Sequence, residues 1–167
     1  MSRINSSTQY VNVVPQVQPV DAQATARTGQ WISLKQAHKI SFLAMFGVIT
    51  STSADQSATL YVEATTAADS TSAVYVPFTY RKSGAVAANT WGAVTAATSA
   101  GLAVTTDDDG FNYWIEVDPS ALVANTEDAY QVRLIMAPDA GATVALYSAI
   151  AFVEPRYSQA TMNSTTA

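Results

Sequence analysis

Apolar and polar side chains alternate with a period of two along most of residues 30–157, and clusters of Gly, Asp, Asn, Ser and Pro separate the alternating segments. This pattern is typical of antiparallel strands that have one buried face. In the clearest segment the apolar positions are Phe111, Tyr113, Ile115 and Val117. About eight such segments predict an all-β domain, a two-sheet antiparallel β-sandwich whose inner faces form the core.

Two segments carry more specific predictions. A tripeptide centred on His38 lies between the apolar segments 31–36 and 40–50, which predicts a hairpin with His38 in its turn. Residues 73–81 form one alternating strand that is interrupted by Pro77. Because proline has no N–H to donate to a neighbouring strand, we expect Pro77 at a sheet edge or a bulge.

Two other segments are apolar on both faces. In residues 40–50 one face carries Ile40 and Phe42 while the other carries Leu43 and Met45, and residues 142–154 show the same feature. A lone two-layer domain cannot cover both faces of such strands. We therefore predict that 40–50 is a central strand and that the chain forms a symmetric homo-oligomer, a dimer or a trimer.

The chain divides into three parts. Residues 1–29 are polar and show no sustained period, which predicts an extended N-terminal arm. Residues 30–157 form the sandwich domain, and residues 158–167 are predicted to be a flexible C-terminal tail. The arm is more apolar than a solvated tail requires, so strand-like docking on a neighbour is an alternative to a free tail. The arm residues predicted to make that contact are Tyr10, Val11, Val13, Val14, Val17 and Val20.

Composition and charge exclude several classes of protein. The chain has 167 residues, a formal net charge of -5 and only 13% charged residues. Excess negative charge repels phosphate backbones, so nucleic acid is not an expected partner. The absence of cysteine excludes disulfides and thiolate metal sites. No apolar run in the sequence reaches membrane-spanning length, so we expect no membrane partner and synthesis in the cytoplasm.

The sequence contains no recognisable catalytic motif. His38 is the single histidine, and no nucleophile elbow, phosphate-binding loop or His-Glu-x-x-His motif occurs. Paired carboxylates of the glycosidase kind are defined by their separation in space and cannot be recognised from sequence. We therefore predict that the protein is not an enzyme and needs no cofactor.

The densest acidic cluster is Asp107-Asp108-Asp109, which is followed by Gly110. Three carboxylates on one turn could coordinate a hard cation such as Ca²⁺ through oxygen ligands. Asp and Gly are equally suited to an ordinary turn between two strands. The spacing of an EF-hand is not met, so the ordinary turn is the favoured interpretation and a metal site is the weaker one.

Tryptophan residues at outward positions suggest a binding surface. Trp114 has the polar neighbours Asn112 and Glu116 on the same face of its strand, which suits stacking on a sugar ring. An outward tryptophan serves equally well as the anchor of a protein interface. We predict Trp31 and Trp114 as interface residues together with those of the arm.

Residues 31–50, WISLKQAHKISFLAMFGVIT, and 111–157, FNYWIEVDPSALVANTEDAYQVRLIMAPDAGATVALYSAIAFVEPRY, resemble the small head decoration (cement) proteins of tailed bacteriophages. The shared features are Ala/Thr/Ser-rich strands, long apolar β runs, an extended N-terminal arm and the lack of cysteine and catalytic motifs. The resemblance implies a sandwich of the jelly-roll type. It also implies a virion structural protein on the capsid exterior, which binds the major capsid protein and ties neighbouring capsomers together.

A second resemblance concerns the fold. Leu122, Thr126 and residues 129–134 are similar to the tyrosine-corner approach in immunoglobulin-like sandwiches, which leaves a Greek key as the alternative strand order.

The alternative function is a phage tail or head-fibre component, or a receptor-binding module that recognises a host surface glycan.

Overall fold

The computed structural model describes residues 11–22, 25–35, 37–52, 57–66, 72–86, 88–118, 122 and 131–155. These residues form twelve strands, and every strand pairing among them is antiparallel. The strands are β1 (Asn12–Asp21), β2 (Arg27–Thr28), β3 (Ile32–Ser33), β4 (Ala37–Ser51), β5 (Ala58–Thr65), β6 (Val74–Val76), β7 (Phe78–Lys82), β8 (Thr95–Ala97), β9 (Leu102–Val104), β10 (Asn112–Val117), β11 (Gln131–Pro138) and β12 (Ala142–Pro155).

The strands form two sheets. Sheet A has the order β1-β12-β4-β10-β7-β8, and sheet B has the order β2-β11-β5-β6, with β3 also paired to β11 and β9 to β5. A short 3-10 turn at Thr106–Asp108 lies between β9 and β10. The predicted all-β architecture of two antiparallel sheets is confirmed. Within the described residues no helix is long and apolar enough to cross a membrane.

The core lies between the inner faces of the two sheets. In β10 the side chains of Tyr113, Ile115 and Val117 are buried and those between them are half-buried, as the alternating pattern predicted. Sheet B contributes the buried residues Leu60, Val62, Val132, Leu134 and Met136. Because successive side chains of a strand point to opposite faces, each of these strands presents only one face to the core.

Strand β4 lies in the interior of sheet A, between β12 and β10, as its two apolar faces predicted. Its inner residues Ile40, Phe42 and Ala44 are fully buried. Its outer residues Leu43 and Met45 are only half-buried. The second apolar face of β4 therefore belongs to the outer surface of sheet A.

The hairpin predicted around His38 is wrong. Strand β4 begins at Ala37, so His38 lies inside the strand and not in a turn. The preceding strand β3 pairs with β11 in sheet B, with Ile32 opposite Val132. The chain does turn between Leu34 and Ala37, where the N–H of Ala37 donates to the carbonyl of Leu34 (3.3 Å), but this turn carries it from one sheet to the other.

The single strand predicted for residues 73–81 is divided at Pro77. Strand β6 belongs to sheet B and β7 belongs to sheet A, so Pro77 marks the passage of the chain between the sheets. A residue without an N–H is tolerated there because neither ladder needs its hydrogen bond. Val74 is 48% exposed on the short strand β6.

The middle of the predicted arm lies in sheet A. Residues 12–21 form β1 and pair with β12, with Val14 opposite Ala151. Val14 is 5% exposed and Gln16 is 6% exposed, so both point into the sandwich. The boundary predicted at residues 29 and 30 therefore does not coincide with the edge of the sheet. The physical reason is that Val14 and Gln16 of β1 extend the inner face of sheet A beside β12.

Candidate functional site

The outer face of sheet A carries apolar side chains on four adjacent strands. The register places Ile150 opposite Leu43 and Leu43 opposite Trp114, so these side chains form one row across β12, β4 and β10. In the next row Val13 lies opposite Phe152. Side chains directly opposite in an antiparallel pair are about 5 Å apart and contact each other. We call six residues on this face the outer patch: Val13, Leu43, Met45, Trp114, Ile150 and Phe152.

The outer patch is partly open to solvent. Val13 is 57% exposed, and the other five members are half-buried. A sandwich sheet with one solvated face ordinarily carries polar side chains on that face. The outer patch departs from this pattern and is therefore the candidate site of interaction with another molecule.

Three aromatic rings form one side of the outer patch. The rings of Trp114 and Phe152 are 5.3 Å apart and inclined by 30°. Trp91, which follows β7 and forms an isolated bridge with Ser83, meets Trp114 edge-on at 6.2 Å. Trp91 is 42% exposed. Aromatic pairs in these geometries stabilise one another, so the rings present a fixed surface.

A charged border follows the aromatic rings. The Nζ of Lys39 lies 2.6 Å from Oε1 of Glu116, and the indole N–H of Trp114 donates to the same oxygen at 3.2 Å. The hydrogen bond from Lys39 lowers the pKa of Glu116, an effect that partial burial opposes. Glu116 therefore stays a carboxylate at neutral pH and fixes the orientation of the Trp114 ring.

An open cleft lies next to this border. It has a volume of about 340 Å³ and is lined by His38, Lys39, Thr79, Glu116, Val117 and Asp118. An apolar depression of about 260 Å³ shares Thr79, Glu116 and Asp118 with the cleft and extends to Pro77 and Phe78. The cleft gathers hydrogen-bond donors and acceptors from three neighbouring strands.

The predicted interface residues do not share one surface. Val13 and Trp114 belong to the outer patch, whereas Val14 faces the core and Val17 packs partly against it. Val11 and Val20 are half-buried, and Tyr10 lies outside the described residues.

Trp31 immediately precedes β3 of sheet B and is not part of the outer patch. The guanidinium group of Arg133 lies 4.2 Å from the centre of the Trp31 ring and also forms an ion pair with Glu63 at 2.6 Å. Trp31 therefore contributes to a cation–π contact on the opposite side of the molecule.

The acidic turn has a structural role at its middle residue. Asp108 is 6% exposed, accepts a hydrogen bond from the backbone N–H of Thr105 (2.7 Å) and pairs with Lys82 (2.5 Å). Burial by itself would raise the pKa of Asp108, but the hydrogen bonds from Lys82 and Thr105 lower it. Asp107 and Asp109 are exposed. In the part of the chain that the structure describes, no three His, Asp or Glu side chains lie close enough together to hold a metal ion.

The sequence analysis missed several residues of this surface. Phe152 and Ile150 belong to a segment that the sequence shows only to be apolar on both faces. His38 was placed in a turn, whereas it lines the cleft. The two-faced apolar pattern was the available signal, but it does not show which face of each strand is covered.

Comparisons of the chain with protein-family models, with curated proteins and with solved structures found no match.

Proposed function

We propose that the protein is a structural component of a bacteriophage virion, which binds the outer surface of the capsid and stabilises it by bridging neighbouring capsomers. The observation that carries this proposal is the outer patch, an apolar and aromatic surface on an otherwise complete two-sheet sandwich. The major capsid protein is the proposed partner, and the capsid exterior is the proposed location.

The composition of the surface supports binding to a protein. Interfaces combine an apolar centre, enriched in Trp, Tyr, Phe and Met, with a polar border. The outer patch provides Trp114, Phe152 and Met45, and Lys39 with Glu116 provides the border. Because Lys39 and Glu116 are paired with each other, covering the patch leaves neither of these two charges without a partner.

The outer patch is smaller than a stable protein interface, so residues around it must also contact the partner. Four strands about 4.8 Å apart and three rows of side chains about 6.8 Å apart give a patch of a few hundred Å². A stable interface buries roughly 800 Å² on each partner. The outer patch therefore forms the centre of the contact, and the charged border and the neighbouring residues of β1 and β12 complete it.

The order of the strands supports the jelly-roll form of the sandwich, which we include in this proposal. Strands from the two ends of the chain pair in a nested series: β1 with β12, β2 with β11, β4 with β10 and β5 with β6. A ribbon of paired strands wound around a core gives this series, and such double-sheet barrels are common in viral capsid proteins. A fold alone does not assign a function, so the proposal rests on the outer patch.

A pair of matched variants tests the proposal. Val13 and Val74 are both exposed valines on edge strands, but Val13 belongs to the outer patch and Val74 to sheet B. We expect Val13→Glu to reduce co-sedimentation with undecorated capsids at least tenfold and Val74→Glu to leave it unchanged. Equal binding by both variants and the wild type, or no binding of the wild type to capsids, would contradict the proposal.

A further inference from the structure

The cleft and Trp91 lie beside the centre of the outer patch and have a different chemistry. The patch is apolar, whereas the cleft contains two carboxylates, an ammonium group, an imidazole and a hydroxyl, contributed by Glu116, Asp118, Lys39, His38 and Thr79. A contact between two proteins through the patch does not require such a mixture of donors and acceptors. The polar side chains of the cleft are therefore better suited to binding a small ligand.

We propose that the cleft, together with the rings of Trp91 and Trp114, binds a short neutral oligosaccharide. This site goes beyond the proposed attachment to capsids. A sugar ring has an apolar face of C–H groups and an edge of hydroxyls that both donate and accept hydrogen bonds. The tryptophan rings suit the apolar face and the cleft suits the hydroxyls. Trp114 connects the two, because its ring contacts the exposed ring of Trp91 and its N–H donates to Glu116 of the cleft.

The polar side of the site fits hydroxyl groups. Glu116 is an ionised carboxylate and acts only as an acceptor, Lys39 acts only as a donor, and the Thr79 hydroxyl does both. Glu116 and Lys39 are fixed by their ion pair at 2.6 Å. Sugar hydroxyls can therefore bind to side chains that already hold their positions, which reduces the entropy lost on binding.

The dimensions favour more than one sugar ring. Trp114 and Glu116 are two residues apart on β10, a distance of about 6.8 Å along the strand. Trp91 lies a further 6.2 Å from Trp114, measured between ring centres. A volume of about 340 Å³ for the cleft alone falls within the range of small-molecule sites. The ligand extends from the cleft along the two tryptophan rings.

The charge of the protein selects against acidic sugars. The chain carries a net charge of -5, and the cleft contains the carboxylates of Glu116 and Asp118. Lys39 is already paired with Glu116 at 2.6 Å, and Arg81, the second cation that acts on Glu116, donates to the backbone carbonyl of Gly92 at 3.2 Å. A sialylated or uronic-acid chain would meet repulsion, so the site favours neutral hexoses and N-acetylhexosamines.

An array of immobilised neutral and acidic oligosaccharides from bacterial surfaces tests the site, followed by calorimetric titration of the tightest binder. We expect wild-type protein to bind neutral chains, and Trp91→Ala and Thr79→Val each to weaken binding at least tenfold. Trp31→Ala is the matched control, because Trp31 contacts Arg133 of sheet B, and it should bind as the wild type does. Thermal unfolding of each variant verifies that it is folded.

The outcomes separate this inference from the proposed function. The Val13→Glu variant should no longer bind capsids but should still bind the oligosaccharide, whereas the Trp91→Ala variant should no longer bind the oligosaccharide. Absence of binding to every glycan, binding to acidic glycans alone, or equal losses in Trp91→Ala and Trp31→Ala would each overturn the inference. A result of that kind would leave the capsid measurement with Val13→Glu unaffected.

Discussion

Trp114 and Phe152 contact each other across a strand to which neither belongs. Trp114 is on β10 and Phe152 is on β12 in the neighbouring row, with β4 between them, so their backbones are about 12 Å apart. Their ring centres are nevertheless only 5.3 Å apart. The small residue beneath them on β4 is Ser41, which lies directly opposite both Glu116 and Phe152 and is 4% exposed.

This contact explains why the outer patch is continuous. Because Ser41 is small, the two larger rings can lean over it and meet. A bulky residue at position 41 would separate them and divide the aromatic surface into two parts. The same contact places the indole N–H of Trp114 against Glu116, which joins the apolar patch to the polar cleft.

Removal of β1 should destabilise the sandwich. Val14 and Ala22 are buried, and the backbone N–H of Ala145 donates to Oδ1 of Asp21 at 3.0 Å. We expect deletion of residues 1–22 to lower the unfolding free energy by at least about 3 kcal/mol, since two buried apolar side chains and several hydrogen bonds are lost. Chemical denaturation measures the change, with deletion of residues 1–10 as the control that retains β1. Equal stability of the two truncated proteins would contradict the role of β1.

Removing the hydroxyl groups of two buried tyrosines, Tyr147 and Tyr113, should change the stability of the protein in different ways. The Tyr147 hydroxyl is buried and has no hydrogen-bond partner in the described part of the chain. The Tyr113 hydroxyl shares a hydrogen bond with Asp108, and burial together with that bond raises the pKa of Tyr113. We expect Tyr147→Phe to be neutral or stabilising by up to about 1 kcal/mol, and Tyr113→Phe to be destabilising by about 1–2 kcal/mol. Thermal unfolding of both variants gives the comparison, and a loss of stability in Tyr147→Phe would show that its hydroxyl has a partner.

Stability should decrease in acid because of Asp108. Folding lowers the pKa of this carboxyl, so its stabilising effect is present above the pKa of the unfolded chain, about 4, and is lost as the pH falls through the lower pKa of the folded state. Unfolding measured between pH 7 and pH 2 should show this decline, and Asp108→Asn should make the profile flatter. Asp107→Asn is the exposed control. A wild-type profile that is independent of pH below 4 would argue against the effect.

The outer patch should also support self-association when no capsid is present. Burial of Leu43 and Phe152 against a second copy removes apolar surface from water, so we expect a dimer or trimer at micromolar concentration in light scattering. Leu43→Arg places an unpaired charge at the centre of the patch and should give a monomer. Val74→Glu on sheet B should remain associated. A wild-type monomer, or an oligomer unaffected by Leu43→Arg, would contradict this expectation.

The sequence alone was sufficient for the fold class and for most strands of the core. The alternation in β10 correctly separated the inner residues Tyr113 and Ile115 from the outer residue Trp114. It succeeded because a strand has a strict period of two, so a residue's face follows directly from its position. The lack of catalytic motifs and the interruption at Pro77 were likewise visible in the sequence.

The sequence could not determine which strands are neighbours. A period of two does not distinguish β3 paired with β4 from β3 paired with β11, which is why the hairpin around His38 was predicted wrongly. The period of two also did not show which strand β1 pairs with, because its partner β12 lies more than a hundred residues later in the chain. Pairing between distant segments depends on how both sheets close around the core, which local patterns do not encode.

The candidate site depends on that long-range pairing. Each of Val13, Leu43, Trp114 and Phe152 is an apolar residue at an outward position, and the sequence determines that much about it. Only the order β1-β12-β4-β10 brings these residues side by side and places the rings of Trp114 and Phe152 5.3 Å apart. The face on which each side chain lies follows from its position in its own strand. The surface that these side chains form together depends on the registers of three strand pairs, β1 with β12, β12 with β4 and β4 with β10.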